Sequence, residues 1–192
     1  LRGGCMEAAL DGKDSDQTSM MSESCILVDN EDVAIGSLSK LESHYMAGSL
    51  HRAFSVLLFN SKDELLVQKR APSKITFPSV WANSCCSHPL MLEGGTEESV
   101  VDAAIRKMEQ ELGIPSSISS EWDYNPVGRF MYSSRWDSEW VEREIDHVLL
   151  VRADVEVAPN PNEIGAHEWV DMGELRRICL LYTSPSPRDV SR

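Results

Sequence analysis

The sequence predicts an α/β fold, a single domain in which a mixed sheet is packed between helices. Three observations carry this. Apolar runs of strand length alternate with clusters of turn residues, one long stretch steps its apolar residues by three and four, and the order along the chain is strands, helix, strands, helix. The size agrees: 192 residues at 21.5 kDa, 42% hydrophobic and 26% charged, leave no room for a second full domain but enough apolar surface for a real core. The longest apolar runs, 56–59 and 147–151, fall far short of the ~18 residues that a membrane span needs.

Taken in order, residues 1–24 are rich in Gly, Asp, Ser and Met without periodicity and are expected to be disordered. Cys25-Ile26-Leu27-Val28 followed by Asp29-Asn30-Glu31-Asp32 reads as a first strand and hairpin. Residues 53–59, the turn Asn60-Ser61-Lys62-Asp63 and the return 64–69 make a hairpin rich in Val, Leu and Phe. The best helix covers 97–112, with Val101, Ala104, Ile105, Met108 and Leu112 on one face, Thr96 as its cap, Glu97 and Glu98 at the positive end of the dipole, and Gly113 as its stop before Pro115. Strands follow at 127–132, 141–151 and 168–170, then a short helix from Asp171. From about Cys179 the pattern breaks, with Pro185 and Pro187 in a polar run that resembles translated adapter or vector sequence. Residues 25–178 are therefore expected to form the folded domain, and 179–192 to be a non-native tail in place of the true C-terminus.

Charge and cysteines bound the partners. Lys and Arg number 18 against 31 Asp and Glu, a formal charge of -13, which repels a polyphosphate backbone and argues against nucleic acid. An anionic ligand must be small and held by a local basic cluster or a metal. The five cysteines, one vicinal pair among them, make a poor disulfide framework and point to a reducing compartment. With no secretory h-region visible, a cytoplasmic location is expected, organellar targeting staying open.

Three clusters could carry chemistry, and each has a plain structural alternative. In Ser84-Cys85-Cys86-Ser87-His88-Pro89 a thiol and an imidazole lie two residues apart, which suits a reactive cysteine but equally a buried vicinal pair. Strand alternation puts Glu142 and Glu144 on one face, where they repel unless a divalent metal neutralises them or water solvates an edge strand. His44 and His51 flank Met46-Ala47-Gly48-Ser49. Together with His88 they form a candidate mixed nitrogen and oxygen site for Mn²⁺, Mg²⁺ or Zn²⁺ if strand pairing brings them to the glutamates, and are otherwise ordinary core or surface histidines.

The stretch from Gly94-Gly95-Thr96-Glu97-Glu98 to Glu109-Gln110-Glu111-Leu112-Gly113-Ile114 resembles a degenerate Nudix box. Glu98 and Arg106 match it. Lys107 stands where that box has Glu, Gln110 replaces the first of two adjacent glutamates and Leu92 replaces its initial glycine, so its diphosphate-hydrolysing carboxylates are depleted. With Leu50-His51-Arg52-Ala53-Phe54, Ser73-Lys74-Ile75-Thr76-Phe77-Pro78, Trp81-Ala82-Asn83 ahead of the cysteine cluster, Glu142-Arg143-Glu144-Ile145-Asp146 and Asn160-Pro161-Asn162-Glu163-Ile164, the chain over 25–178 resembles the type I isopentenyl diphosphate isomerases of the Nudix-fold superfamily.

The resemblance implies a Nudix-like sheet and the isomerisation of isopentenyl diphosphate to dimethylallyl diphosphate in isoprenoid biosynthesis, by adding a proton at one end of the alkene and removing another two carbons away. It implies metal ligands at His44, His51, His88, Glu142 and Glu144, and Glu111 as a carboxylate for a substrate-bound Mg²⁺. The catalytic thiol matches Cys86, the catalytic acid Glu144, with Tyr132 beside it, and diphosphate contacts match Lys40, Arg70, Lys74 and Ser87. The family's C-terminal tryptophan has no counterpart among Trp81, Trp122, Trp136, Trp140 and Trp169. A Nudix-type diphosphate hydrolase and a non-catalytic metal-binding module remain the alternatives. The oligomeric state is not readable from the sequence.

Overall fold

The β-branched and aromatic runs do pair. The computed structural model describes residues 8–181, and among them nine strands join in one mixed sheet. They are β1 (Ser24–Val28), β2 (Ala34–Ser39), β3 (His51–Phe59), β4 (Leu65–Arg70), β5 (Trp81–Ala82), β6 (Cys85–Ser87), β7 (Asn125–Arg135), β8 (Val141–Arg152) and β9 (Ile164–Val170). β3 is the hub. It meets β1, β4 and β6 antiparallel and runs parallel to β8 over nine residue pairs, His51 opposite Glu144 through Phe59 opposite Arg152. β8 in turn carries β7 antiparallel, and β4 carries β9.

The principal core lies between this sheet and the long helix. Phe54, Val56, Leu58, Leu66, Leu149 and Val151 from the strands pack on Ala103, Ala104, Met108 and Leu112 of the helix Val100–Leu112. The small alanines let the helix approach the strands closely, and Met108 and Leu112 fill the remaining space. Truncating Leu112, fully buried, would cost about 2 to 5 kcal/mol. Gly113 ends the helix at φ 67, and a side chain there would lie 2.4 Å from the Ala158 carbonyl oxygen. Only glycine suits both demands.

Three expectations need correction. The helix begins later than read: Ser99, not Thr96, is its cap, accepting from the Asp102 N–H. Thr96 is diverted because its carbonyl accepts from Leu92 N–H in a turn where Met91 bridges Glu97. The disorder assigned to 1–24 does not hold for residues 8–24, where a helix spans Ser15–Met20 with Asp14 capping the Asp16 and Gln17 N–H groups. Its order comes from tertiary partners rather than from its own periodicity: Gln17 is buried against Asn162 and Glu163, and Met21 packs with Ile75 and Trp140. Residues 1–7 lie outside the described residues. Lastly, the final helix, Met172–Leu181, runs three residues into the stretch read as a tail, with Asp171 accepting from the Glu174 N–H at its start. The rest of that tail, 182–192, lies outside the described residues. No described helix is long and apolar enough to cross a membrane.

Candidate active site

The parallel register of β3 on β8 sets His51 beside Glu144, and the two neighbouring histidines arrive by different routes. His44 ends a one-turn helix, Lys40–His44, fixed by a capping box between Ser39 and Glu42. His88 follows β6, whose Ser87 and Cys86 pair with Phe54 and Ser55 of β3. Between His44 and His51 the chain turns at Gly48, φ 63, where an added Cβ would meet Val141 Cγ1 at 2.6 Å. The tight return is what brings both imidazoles to the same carboxylate.

The convergence is narrow. His44, His51, His88 and Glu144, all buried, place one ligand atom each within 4.8 Å of one another. The Nε2 atoms of His44, His51 and His88 lie 3.7, 3.4 and 2.9 Å from the same oxygen, Glu144 Oε1. The Nδ1 atoms of His44 and His51 sit 2.7 Å from the carbonyls of Lys40 and Ser49. A carbonyl only accepts, so each Nδ1 carries the proton and each Nε2 presents a lone pair. Burial also pushes His44 and His88 below the usual imidazole range, against the opposing pull of Glu144. Neutral lone pairs aimed at a carboxylate repel, and His51 Nε2 is left buried without a hydrogen-bond partner. A divalent cation removes both faults, so this donor set fits a metal ion.

Glu142, read as a ligand from the sequence, is not brought into this cluster, and Glu111, read as a carboxylate for a separate substrate-bound Mg²⁺, lies outside it as well. Glu142 lines the same cavity, its carboxylate 3.2 Å from the Tyr132 hydroxyl and accepting from Thr76 at 3.4 Å, and burial beside Glu144 raises its carboxyl to about 7. Glu111 lies across the cavity and is paired with Lys107, Nζ to Oε1 3.1 Å. Lys107, one of the residues that break the Nudix box, is itself fully buried.

A cavity of about 520 Å³ opens beside the cluster. It gathers the predicted Lys40, Arg70, Lys74, Cys86, Ser87, His88, Tyr132, Glu142 and Glu144. Alternation along β6 separates the two cysteines: Cys85 points into the core at 0% exposure, its thiol 3.8 Å from Glu111, while Cys86 faces the cavity. Burial pushes the Cys86 thiol up to about 12, with Arg70 opposing, so at rest Cys86 carries its proton. Tyr132, opposite Glu144 on β7, donates to Glu144 Oε2 at 2.5 Å. Burial and the two glutamates keep that phenol protonated.

The basic groups are held by the wall around them. Arg70 donates to the carbonyls of Thr76 and Phe77, and Lys74 pairs with Glu163 at 2.5 Å. Among the wall residues that the sequence reading did not name as site residues are Gln17, Ser55, Phe130 and Asp146. Asp146 continues the Glu142 and Glu144 alternation, a signal that was available, and Ser55 donates to it at 2.7 Å. Burial raises its carboxyl to about 7. Nothing in the local sequence marks Gln17.

The Nudix domain family matches residues 49–189. The chain is 44% identical over 168 residues to the chloroplastic Isopentenyl-diphosphate Delta-isomerase 1 of Cannabis sativa, covering 83% of this chain and 58% of that one. It is 42% identical over 180 residues to the Isopentenyl-diphosphate Delta-isomerase 1 of Bos taurus, covering 90% of this chain and 79% of that one. The chain thus spans less than two thirds of the hemp relative and about four fifths of the bovine one. Among solved structures, that of DR0079 from Deinococcus radiodurans is similar in fold, with a TM-score of 0.62 at 23% identity over 82% of this chain and 90% of that one. The depleted Nudix helix, the three-histidine cluster and these matches agree: the chain belongs to the Nudix family and, within it, to the type I isopentenyl-diphosphate Delta-isomerases.

Proposed function

We propose that the chain interconverts isopentenyl diphosphate and dimethylallyl diphosphate by proton transfer on the alkene. The single observation that carries this reading is the sharing of one cavity by a buried thiol, Cys86, a carboxylate and phenol pair, Glu144 and Tyr132, and the cationic residues Lys40, Arg70 and Lys74. The diphosphate is the natural partner of the cations, with Ser87 beside them, and remote binding energy then orients a small apolar tail. Glu111 stands where it could serve a substrate-bound Mg²⁺.

An unactivated alkene is a weak base, so its protonation needs a positioned acid in a dry pocket. A divalent ion held by His44, His51, His88 and Glu144 would neutralise the buried carboxylate and keep it ionised; three imidazoles favour Mn²⁺ or Zn²⁺ over Mg²⁺ there. Cys86 and Glu144 then act as a complementary pair. In the direction that starts from the resting thiol, Cys86 gives a proton to one end of the alkene and Glu144 removes one from the allylic carbon. In the other direction the roles exchange, with Glu144, the acid of the family pattern, supported by Tyr132 and with Cys86 as base. One proton exchange with solvent resets the pair.

The described residues that line this cavity come from 25–178 and, ahead of it, from Gln17 and Met21. The free thiols of Cys25, Cys85 and Cys86 support a reducing compartment, the cytoplasm or an organelle interior. The test is incubation of the purified chain with isopentenyl diphosphate and Mg²⁺ in D₂O. Deuterium in dimethylallyl diphosphate is the expected result. Phosphate release would identify a hydrolase instead, and a metal-loaded fold without turnover a non-catalytic module.

A further inference from the structure

The short helix Ser15–Met20 reaches the cavity wall through one side chain. Gln17, 4% exposed, sends its amide into a polar knot with the loop before β9: Nε2 lies 2.6 Å from Asn162 Oδ1, 3.1 Å from the Asn162 carbonyl and 3.0 Å from Glu163 Oε1. Glu163, 2% exposed, has its second oxygen on Lys74 Nζ at 2.5 Å. Each oxygen of this carboxylate therefore has its own donor, Gln17 on one and Lys74 on the other. The backbone around it is pinned as well: the Glu163 carbonyl accepts from the Ala71 N–H, and the Asn162 carbonyl accepts from Ser73 Oγ, one residue before Lys74. Asn162 Nδ2 closes the knot on Asp14, the cap of the Gln17 helix.

We propose that Gln17 is a positioning residue for diphosphate binding, acting through Glu163 on Lys74. The proposal rests on the reading of Lys74 as a diphosphate contact. A lysine stem of four methylenes is flexible, and an ammonium without a fixed partner samples many rotamers. Glu163 gives it one direction, and Glu163 can do so only if its own carboxylate is kept from turning. The Gln17 amide supplies that restraint without adding charge, so the positive end of the cavity stays positive. Charge around Glu163 agrees with this geometry: Lys74, Lys107 and Lys40 together outweigh its burial and hold its carboxyl down to about 2, so it is a permanent anion among three cations. Gln17 and Lys74 both line the cavity, whereas Glu163 stands behind them. This is the arrangement of a backing group rather than of a ligand.

The test uses the full chain with Mg²⁺ and four proteins: the parent, Gln17→Met, Lys74→Gln and the double variant. Methionine keeps the length of the side chain and loses the amide. KM for isopentenyl diphosphate, kcat, the inhibition constant of inorganic pyrophosphate and Tm are measured for each. Gln17→Met is expected to raise KM and the pyrophosphate constant about tenfold, the loss of one hydrogen bond to a charged group, with kcat little changed. In the Lys74→Gln background it is expected to add nothing, because its effect passes through Lys74. Unchanged KM in Gln17→Met, a fall in kcat alone, or a loss that multiplies that of Lys74→Gln would each overturn the proposal. A Lys74→Gln variant with parental KM and pyrophosphate binding would sink the diphosphate role of Lys74 itself, and the proposal with it. Should Tm show that Gln17→Met does not fold, Gln17→Glu replaces it. That variant keeps the shape but sets a second carboxyl against the Glu163 anion. Above the pH at which the new carboxyl ionises the same increase is expected, and where it stays protonated and donates to Glu163 the parental KM is expected to return.

Discussion

The helix Val100–Leu112 and the sheet floor under Glu144 hold their buried carboxylates in opposite ways. At the helix each acid has a cation of its own: Glu98, just before it, takes two bonds of 2.8 Å from Arg106, and Glu111 pairs with Lys107. On the floor, Glu144 is ringed by three imidazoles, and the Nε2 atoms of His44 and His51 turn lone pairs toward it. A carboxylate already paired with an ammonium has its charge offset within the fold, whereas one set among lone pairs is stabilised when a cation joins it. The family helix survives as structure, and the cluster that fits a divalent ion lies on the sheet.

The strongest way to break this comparison is to empty the floor. Chelation of the purified chain, or His51→Ala, should remove about one bound divalent ion and lower turnover at least about a hundredfold. Metal analysis that finds no ion in a fully active parent would refute the reading. Almost as large is the cysteine contrast. Cys86→Ala should cost about 10² to 10⁴ in kcat, the range for a proton-transfer group, with metal content unchanged. Cys85→Ala, a core truncation, should change stability mildly and kcat little. Equal losses from both would mean that the alternation along β6 does not decide function.

Glu144→Gln sharpens the same contrast from within the cluster. The amide oxygen can still face the histidines but cannot accept and return a proton, so turnover should fall about as far as in Cys86→Ala while part of the metal is retained. Near-parental isomerisation would take Glu144 out of the proton path.

The two regions were not equally legible from sequence. The helix announced itself, because Ala104, Met108 and Leu112 keep the helical period and pack as that period requires; its start was misplaced since Thr96 belongs to a turn whose pairing with Leu92 is not a sequence signal. The strands β3, β4 and β8 were visible as apolar runs. β2 was implied only as the return arm of the first hairpin, without bounds, because Ala34 to Ser39 has neither alternation nor bulk and is ordered by its pairing with β1. On the floor, His44, His51, His88 and Glu144 could be named through the family pattern, but that their nitrogens meet one oxygen depends on a parallel register set 93 residues apart, His51 on Glu144. Gln17 was out of reach for a related reason. Its partner Asn162 lies 145 residues away, and a six-residue helix of Ser, Asp, Gln, Thr and Met carries no periodic mark of burial.

The helix side of the comparison is tested by Lys107→Met. Removing one partner of a buried ion pair leaves Glu111 without its cation at the core boundary, and a cost of about 3 to 5 kcal/mol in unfolding free energy is expected. The ion bound by the histidines should be unaffected in protein that remains folded. Loss of that ion in parallel with stability would mean that helix and floor are one electrostatic unit, and the contrast between them would fail.

The smallest effect concerns Glu163, a paired carboxylate of the helix kind that stands beside the active cavity. Lys74 and Lys107 hold it down to about 2 against its own burial, while an unfolded glutamate titrates near 4.5. The sign follows from that order. Between the two values the unfolded chain binds a proton that the folded chain does not, so this group's contribution is complete above about pH 4.5 and disappears as the pH falls toward 2. At 1.36 kcal/mol per pKa unit the contribution is roughly 3 kcal/mol. Glu163→Gln mimics the protonated group at every pH. Urea unfolding of the two chains should therefore differ by roughly that amount at pH 6 and converge as the pH drops through 4 and 3. A gap that stays constant with pH would mean that Glu163 stabilises the fold through the shape of its hydrogen bonds with Gln17 and Lys74 rather than through its charge, and would move it out of the class of carboxylates that the helix defines.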